Sequence, residues 1–439
     1  MIKKVILVLT LPIILASCKE KTEPLEMLIT KDVSNNNAVN VSISKEVLFD
    51  KIYGSLVGSA IGDAMGLPTE MWSRYSRNVE YGYIDSLTKV LITPSPEGAW
   101  AFNLPAGSTS DDTRWKVLGV KYLTQFTETF YESNGPSPYL FAKFIVDAYK
   151  DEINNLKTTE GFDPKLFENN MQRMTFLQEW ALVAKPFADM DLEKYTTALH
   201  RFYGGDIVCA GMLYSPLLGL PYPGNPEKAY RAGFRLGIFD QGYARDITAL
   251  TAAMVGAAMD PDATQKSILD VFSNIDPHDY FGSRIFSRQA YYAYKDALYI
   301  SYEAKKIESI DDIILELHLG KRDSLYAAQM QKAFQLLDEK QMHISPHSKE
   351  ILLVTLTAMI FTDFNFQKCI EFCVNYGRDN DTHAAVAGAI LGAYLGFKNL
   401  PEKISNKVVT VNKKNIGIDL LDLSTKLTDK IYNSISKSR

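Results

Sequence analysis

The sequence has few of the residues that mark several common classes of protein. Its 439 residues include four cysteines, too few for the disulfide framework of a small exported protein. The six histidines are scattered and form no zinc-binding spacing with the cysteines. A net charge of -5 argues against nucleic acid as a partner, because phosphate binding needs a basic surface. Alternation typical of half-buried strands is nearly absent, with Val90–Thr93 a weak candidate.

The N-terminus resembles a bacterial lipoprotein export signal. Two lysines precede an apolar run, Val5–Leu15, that is too short to span a bilayer. Because the run ends in the lipobox-like stretch Leu15–Cys18, we predict a signal peptide over residues 1–17, lipidation of Cys18 and a place in the cell envelope. An ordinary signal peptide with an incidental cysteine is the alternative. Polar residues up to 44 predict a flexible tether.

Residues 45–439 are predicted to form one all-α domain, a compact orthogonal multi-helix bundle, because helix-period segments dominate and no linker or repeat divides them. Cys209, Cys369 and Cys373 are expected in its core. The predicted helices are Val47–Ala64, Asp111–Phe126, Leu140–Tyr149, Asn170–Val183, Pro226–Leu236, Ala244–Ala258, Ser283–Ala304, Ser324–Leu337, Lys349–Phe361, Gln367–Tyr376, Thr382–Gly396 and Ile416–Ile435.

Two of these helices carry a glycine at every fourth position. Residues of that spacing share one face of a helix, and glycine there costs about 1 kcal/mol relative to alanine. We therefore expect the two faces to touch, backbone against backbone. The stripes are Gly54, Gly58, Gly62 and Gly66 near the start of the chain and Gly388, Gly392 and Gly396 near its end. Asp63 and Glu70 then lie near the end of the crossing, where a surface charge is the default interpretation for either acid.

Two segments combine acids with hydroxyl groups at the starts of helices, Ser110–Thr113 and Asp379–Thr382. Helix capping explains one acid in each, and for a lone segment it is the better interpretation. Four aspartates in one pocket would repel by about 4 kcal/mol per close pair at an effective dielectric constant near 20. Bound cations would make the cluster tolerable, and Mg²⁺ prefers such oxygen ligands.

Three motifs in this order resemble the ADP-ribosylglycohydrolase family, over roughly Val47 to Phe397. They are Gly62–Glu70, Ser110–Thr113 and Gly377–Thr382. The resemblance implies an all-α fold with a cleft for ADP-ribose and a centre of two Mg²⁺ ions.

Position by position, the resemblance implies a role for each matching residue. Glu70 matches a mobile glutamate beside the scissile ribose, and we expect it to be the catalytic acid/base or a positioning group. Gly377 and Arg378 are expected to contact the substrate; Arg378 stands where glycine is frequent. The implied metal ligands are Ser110, Asp111, Asp112, Asp379, Asp381 and Thr382.

The middle of the chain matches less closely. Phe202–Met212 is similar to a glycine-rich segment that lines the cleft, so Gly205 and Met212 are expected to contact the substrate; an ordinary loop and helix is the alternative. Phe239–Tyr243 replaces a segment that contains histidine in many members, which leaves the leaving group open. Candidates for stacking on adenine, with ordinary packing as the alternative, are Tyr203, Tyr214 and Tyr243.

The predicted reaction is magnesium-dependent hydrolysis of the glycosidic bond in an ADP-ribosylated protein or a small ADP-riboside. The protein is expected to be a monomer that meets the membrane only through its lipid anchor. One alternative is a non-catalytic module that binds ADP-ribose or a nucleotide. The other is a hydrolase of another N- or O-riboside, because protein ADP-ribosylation is chiefly intracellular while this chain is predicted to be exported.

Overall fold

The computed structural model describes residues 42–90, 104–126, 130–131, 135–157, 177–310 and 324–438. Over these residues the chain is helical, with isolated bridges but no strand, which confirms the predicted all-α fold. Val90 forms one bridge with Leu104, while residues 91–93 lie outside the described part. The predicted signal peptide, Cys18 and the tether up to residue 41 also lie outside it. No helix in the described ranges is long and apolar enough to cross a membrane.

We number the α-helices in chain order. They begin with α1 (Lys45–Gly66), α2 (Arg74–Tyr81), α3 (Asp111–Phe126), α4 (Pro138–Lys157), α5 (described over 177–188), α6 (Leu192–Arg201), α7 (Ser215–Gly219), α8 (Pro226–Leu236) and α9 (Ala244–Ala258). They continue with α10 (Gln265–Leu269), α11 (Val271–Asn274), α12 (Gln289–Lys305), α13 (Ser324–Asp338), α14 (Ser348–Phe361), α15 (Phe366–Tyr376), α16 (Asn380–Leu395), α17 (Glu402–Val411) and α18 (Leu420–Ser438). Single 3₁₀ turns are Leu67–Thr69, Phe202–Gly205, Ala210–Leu213, Tyr280–Gly282 and Phe397–Asn399, and Asn412–Ile416 is a π turn.

Helices α1 and α16, from opposite ends of the chain, cross in the core through their glycines. A Cβ atom added to Gly58 would lie 2.3 Å from the carbonyl oxygen of Gly388, and one added to Gly388 would lie 2.1 Å from that of Gly58. Gly54 and Gly392 repeat this contact one turn along, at 2.4 and 2.0 Å. The predicted contact between the two stripes is therefore confirmed. Gly396 differs, since it follows α16 in the left-handed region with φ 77°.

The crossing brings the C-terminal end of α1 against the first turn of α16. A Cβ atom on Gly66 would lie 2.3 Å from the Cα atom of Asp381. The segment after α1, which begins with the 3₁₀ turn Leu67–Thr69, therefore starts beside the Asp379–Thr382 segment. Helices α1 and α16, which are far apart in the sequence, therefore meet where the predicted site residues lie.

The core around this crossing is apolar on all sides of several helices. Of the 15 residues of α9, all but Arg245 are buried, and α14 and α16 are buried almost as completely. Cys209, Cys369 and Cys373 are buried free thiols, which confirms their predicted place in the core.

One buried ion pair explains why α12 begins later than predicted. Arg288 and Asp246 are both inaccessible to solvent, and the guanidinium donates to the carboxylate through Nε at 2.9 Å and Nη2 at 2.7 Å. Arg288 also donates to the carbonyl oxygen of Ile275 at 2.6 Å. An unpaired buried charge is costly, so this residue stays outside the helix to reach its partners. The helix begins at Gln289 instead of Ser283.

Lys51 of α1 joins the ends of two other helices. It is 6% exposed, and its ammonium donates to the carbonyl oxygens of Ala258 at 2.9 Å, Ala393 at 3.0 Å and Tyr394 at 3.1 Å. These carbonyls lie at the C-terminal ends of α9 and α16, where a helix leaves its last acceptors unpaired. Burial lowers the pKa of Lys51 to about 8.

Candidate active site

Asp63, in the last turn of α1, holds the start of α3 in place. It is completely buried, unlike the surface acid that a lone aspartate would suggest. Its carboxylate accepts the backbone N–H of Ser110 at 2.9 Å and that of Thr113 at 3.0 Å, together with the Thr113 hydroxyl at 2.5 Å. Burial, and after it the Asp112 carboxylate, raises the pKa of Asp63 to about 6. Asp63 therefore caps the N-terminus of α3 from another helix.

The two predicted ligand segments meet directly at the start of α3 and α16. The Thr382 hydroxyl donates to Oδ2 of Asp112 at 3.0 Å, and the Ser110 hydroxyl donates to Oδ2 of Asp381 at 3.4 Å. All four side chains are at most 4% exposed. Residues 270 positions apart in the sequence thus form one buried cluster.

This cluster brings several carboxylates together in a dry environment. Burial raises the pKa of Asp381 well above its ordinary value, and nearby Glu70, Asp379 and Asp112 raise it further. Among the described residues, Oδ1 of Asp381 is a buried oxygen without a hydrogen-bond donor. An unsatisfied carboxylate oxygen among other carboxylates is costly unless a cation faces it.

The donor set fits a hard cation by its chemistry. Carboxylate and hydroxyl oxygens, as on Asp381 and Ser110, are the ligands that Mg²⁺ prefers, and the bare Oδ1 of Asp381 needs a positive partner. Within the described ranges, no group of three or more His, Cys, Asp or Glu side chains is arranged to hold a metal ion. The ligand types and the unsatisfied oxygen of Asp381 therefore suit Mg²⁺, although the described side chains do not form a complete coordination shell.

Glu70 follows the 3₁₀ turn after α1 and lines the cleft beside this cluster. Its loop is fastened to the Gly377–Asn380 segment by main-chain hydrogen bonds, from Met71 N–H to Arg378 O at 2.7 Å and from Arg378 N–H to Trp72 O at 2.9 Å. Met71 and Arg378 both have left-handed backbones, with φ 62° and 63°. Such strain in non-glycine residues concentrates at functional sites.

Gly377 packs against this loop, and the Arg378 side chain is held by other parts of the protein. Gly377 has φ 89°, and a Cβ atom there would lie 3.1 Å from the backbone of Trp72. The Arg378 guanidinium forms an ion pair with the buried Glu350 carboxylate and donates to the carbonyl oxygen of Met342 at 2.8 Å. Substrate contact by these two residues stays a prediction, and the contacts in the structure are those of positioning groups.

The cleft encloses about 440 Å³, including its open mouth. The lining residues come from six segments and are Glu70, Met71, Asp111, Trp180, Tyr203, Val208, Cys209, Ala210, Leu213, Pro346, Asp379 and Thr382. The Phe202–Met212 segment thus lines the cleft as predicted, but Gly205 and Met212 are not among these residues. Met212 is completely buried, because its 3₁₀ turn directs the side chain into the core.

The three tyrosine candidates lie in different environments. Tyr203 lines the cleft, is 38% exposed and has a left-handed backbone with φ 45°. Tyr214 is buried and donates to the carbonyl oxygen of Leu236 at 2.7 Å, so it packs in the core. Tyr243 has its hydroxyl 3.4 Å from Nε2 of His347, next to cleft-lining Pro346. The contact between His347 and Tyr243 was not predicted, because the two residues are 104 positions apart in the sequence.

Comparison with known proteins shows the family to which the chain belongs. The model of the ADP-ribosylglycohydrolase family matches residues 44–437. The chain therefore belongs to this family and is a glycosidase-type hydrolase of ADP-ribosyl linkages. A solved structure described as an "ADP-ribosylglycohydrolase-related protein complex" is similar in fold, with 15% identity, a TM-score of 0.51 and coverage of 88% of this chain and 99% of that chain. No curated protein matches the sequence.

Proposed function

We propose that this protein is a magnesium-dependent hydrolase that cleaves the glycosidic bond of an ADP-ribosylated protein or a related small ADP-riboside and releases ADP-ribose. One observation carries the proposal: the Ser110–Asp112 and Asp379–Thr382 segments converge at the floor of a cleft, with an orphaned oxygen of Asp381 among them. Family membership supports the class of reaction.

The residues that would hold magnesium are Ser110, Asp111, Asp112, Asp379, Asp381 and Thr382. Magnesium held there would act as a Lewis acid toward water and the ribose hydroxyls. The protein contributes rigidity, because Asp63 fixes the first segment through three hydrogen-bond donors and Thr382 fixes Asp112. Preorganised ligands of this kind need no rearrangement during the reaction.

Glu70 is the group that we assign to proton transfer. It lies on the cleft wall, on a loop fastened by the main chain of Arg378, which places its carboxylate beside the cluster. Removing a proton from the attacking water, or donating one to the leaving group, requires such a carboxylate within reach of the anomeric carbon. The nearby carboxylates of Asp111 and Asp379 would stabilise the oxocarbenium-like charge that develops on the ribose.

The test is hydrolysis of ADP-ribosyl-arginine, ADP-ribosyl-serine and free ADP-ribosides by protein stripped of divalent cations. We expect no release of ADP-ribose until Mg²⁺ is restored. Asp111→Asn and Asp381→Asn should lose magnesium binding and turnover together, whereas the exposed Asp189→Asn serves as a control that changes neither. Activity that survives chelation would refute the magnesium mechanism. Binding of ADP-ribose without cleavage of any substrate would favour the non-catalytic module.

We also propose that the domain is a lipid-anchored monomer of the cell envelope. The support is the Leu15–Cys18 stretch after a short apolar run, and the polar residues that follow it. An envelope location favours a substrate that is itself exported or extracellular.

A further inference from the structure

A lysine lies inside the acidic cluster, one helical turn after Asp112 on α3. The Lys116 side chain is 3% exposed. Its ammonium lies 3.0 Å from the backbone carbonyl oxygen of Asp112 and 3.4 Å from Oδ1 of the same residue. A buried ammonium is costly unless it is paired, and both of these contacts of Lys116 are with Asp112. Its buried position could not be predicted from the sequence, because a lone lysine in an amphipathic helix usually reaches solvent.

Lys116 divides the two oxygens of the Asp112 carboxylate between two partners. Oδ1 faces the ammonium, and Oδ2 accepts the hydroxyl of Thr382 at 3.0 Å. Oδ2 is therefore the oxygen that is turned toward the Asp379–Thr382 segment. The ammonium contacts the other oxygen, Oδ1, and so helps to fix the orientation of the carboxylate.

The charges of the cluster show what this ammonium does. Four aspartates of the cluster are at most 2% exposed, namely Asp63, Asp112, Asp379 and Asp381. With Asp111 and Glu70 on the cleft wall, the formal charge is -6 if all are ionised. Two magnesium ions would bring it to -2, and Lys116 brings it to -1. Without magnesium, the ammonium still reduces the repulsion that the cluster imposes on the fold.

We propose that Lys116 is an internal counter-cation of the metal centre: it keeps the cluster folded when magnesium is absent and weakens magnesium binding so that the ion exchanges readily. This inference rests on the proposed function. A positive charge next to a ligand carboxylate repels an incoming dication and withdraws electron density from the ligand, and both effects lower the affinity for the ion.

The test compares Lys116→Met, which keeps the length and removes the charge, with Lys116→Arg, which keeps the charge. Titration calorimetry of cation-stripped protein should show at least tenfold tighter Mg²⁺ binding by Lys116→Met and wild-type binding, within about threefold, by Lys116→Arg. The melting temperature of Lys116→Met should fall below wild type without Mg²⁺, and the difference should shrink when Mg²⁺ is bound. Lys51→Met removes another buried lysine, one that caps helices, and should lower stability without tightening Mg²⁺ binding.

Each outcome decides the inference. Unchanged or weaker Mg²⁺ binding by Lys116→Met would overturn it and leave Lys116 as a support for Asp112. A wild-type protein that binds no Mg²⁺ would refute the proposed metal centre and with it the effect on affinity. The melting curves without Mg²⁺ then decide the remaining part, and equal melting temperatures for wild type and Lys116→Met would overturn that as well.

Discussion

Replacing Gly388 by alanine should force apart two helices that touch through backbone atoms. The new Cβ would lie 2.1 Å from the carbonyl oxygen of Gly58, about 0.9 Å closer than the 3.0 Å below which real Cβ atoms essentially never lie. In an unobstructed helix the same change stabilises by about 1 kcal/mol. Overpacking typically costs about 1–3 kcal/mol and occasionally more, and here the opposing atoms are backbone atoms that cannot rotate away. We therefore expect a cost of about 4 kcal/mol, which leaves a net loss of about 3 kcal/mol after the helix-propensity gain.

A thermal melt measures this loss. Unfolding entropy of about 2.1 cal/mol/K per residue gives roughly 0.8 kcal/mol/K for a domain of about 400 residues, so ~3 kcal/mol corresponds to a Tm decrease of about 4 °C. Gly119→Ala in α3 is the matched control, because its Cβ would meet the flexible end of the Leu217 side chain, at 2.6 Å. We expect Gly119→Ala to change the Tm by about 1 °C or less.

The Gly58→Ala/Gly388→Ala double mutant tests the cause. Both added methyl groups open the same gap, so the second should cost less than it does alone. A Tm of Gly388→Ala within the error of wild type would refute the contact between the stripes. Fully additive losses would show that the two glycines do not share one gap.

Three further predictions concern the site and the anchor. Glu70→Gln should lower kcat by about 100-fold while Mg²⁺ binding stays unchanged, and a wild-type rate on the best substrate would contradict its role in proton transfer. Glu350→Gln removes the charge that pairs with Arg378. The Tm should fall by about 1–2 °C, and kcat should fall because the Glu70 loop loosens, while calorimetry should show unchanged Mg²⁺ binding. An unchanged Tm and kcat would refute this. Cys18→Ser should lose fatty-acid labelling and membrane association, whereas equal labelling of mutant and wild type would exclude lipidation at this residue.

The helices that could be predicted from the sequence are those with a strong local pattern. The predicted contact between α1 and α16 is correct. Glycine at every fourth position lowers the stability of a helix, and close packing of another backbone against that face offsets the loss. Helices such as Arg74–Tyr81, Gln265–Leu269 and Val271–Asn274 were not predicted, since they are too short to show a period. The start of α12 was placed too early, because the buried pair of Arg288 is a tertiary contact with no local pattern.

In the candidate site, the two segments that combine acids with hydroxyl groups stand out in the sequence, and the structure brings them together. Their supports were not predictable. Asp63, Lys116 and Glu350 resemble ordinary charged helix residues in the sequence, and only the folded chain shows that each is nearly inaccessible to solvent. Met212 was predicted to contact the substrate because of the segment to which it belongs, but its side chain is buried in the core. The direction of a side chain within a 3₁₀ turn depends on three-dimensional packing.

Both walls of the cleft are held by pairs of peptide groups. Met71 and Arg378 provide one pair, and on the other wall the Cys209 N–H donates to the carbonyl oxygen of Pro346 at 2.9 Å while the Ser348 N–H donates to that of Ile207 at 3.0 Å. Peptide groups are the same in every residue except proline, so these links do not depend on the side chains that the loops carry. Under the proposed function, we therefore expect substitutions at wall positions such as Val208 to change the substrate preference while the proposed catalytic groups keep their spacing. The side chains that line the cleft can thus vary while its walls stay joined by the main chain.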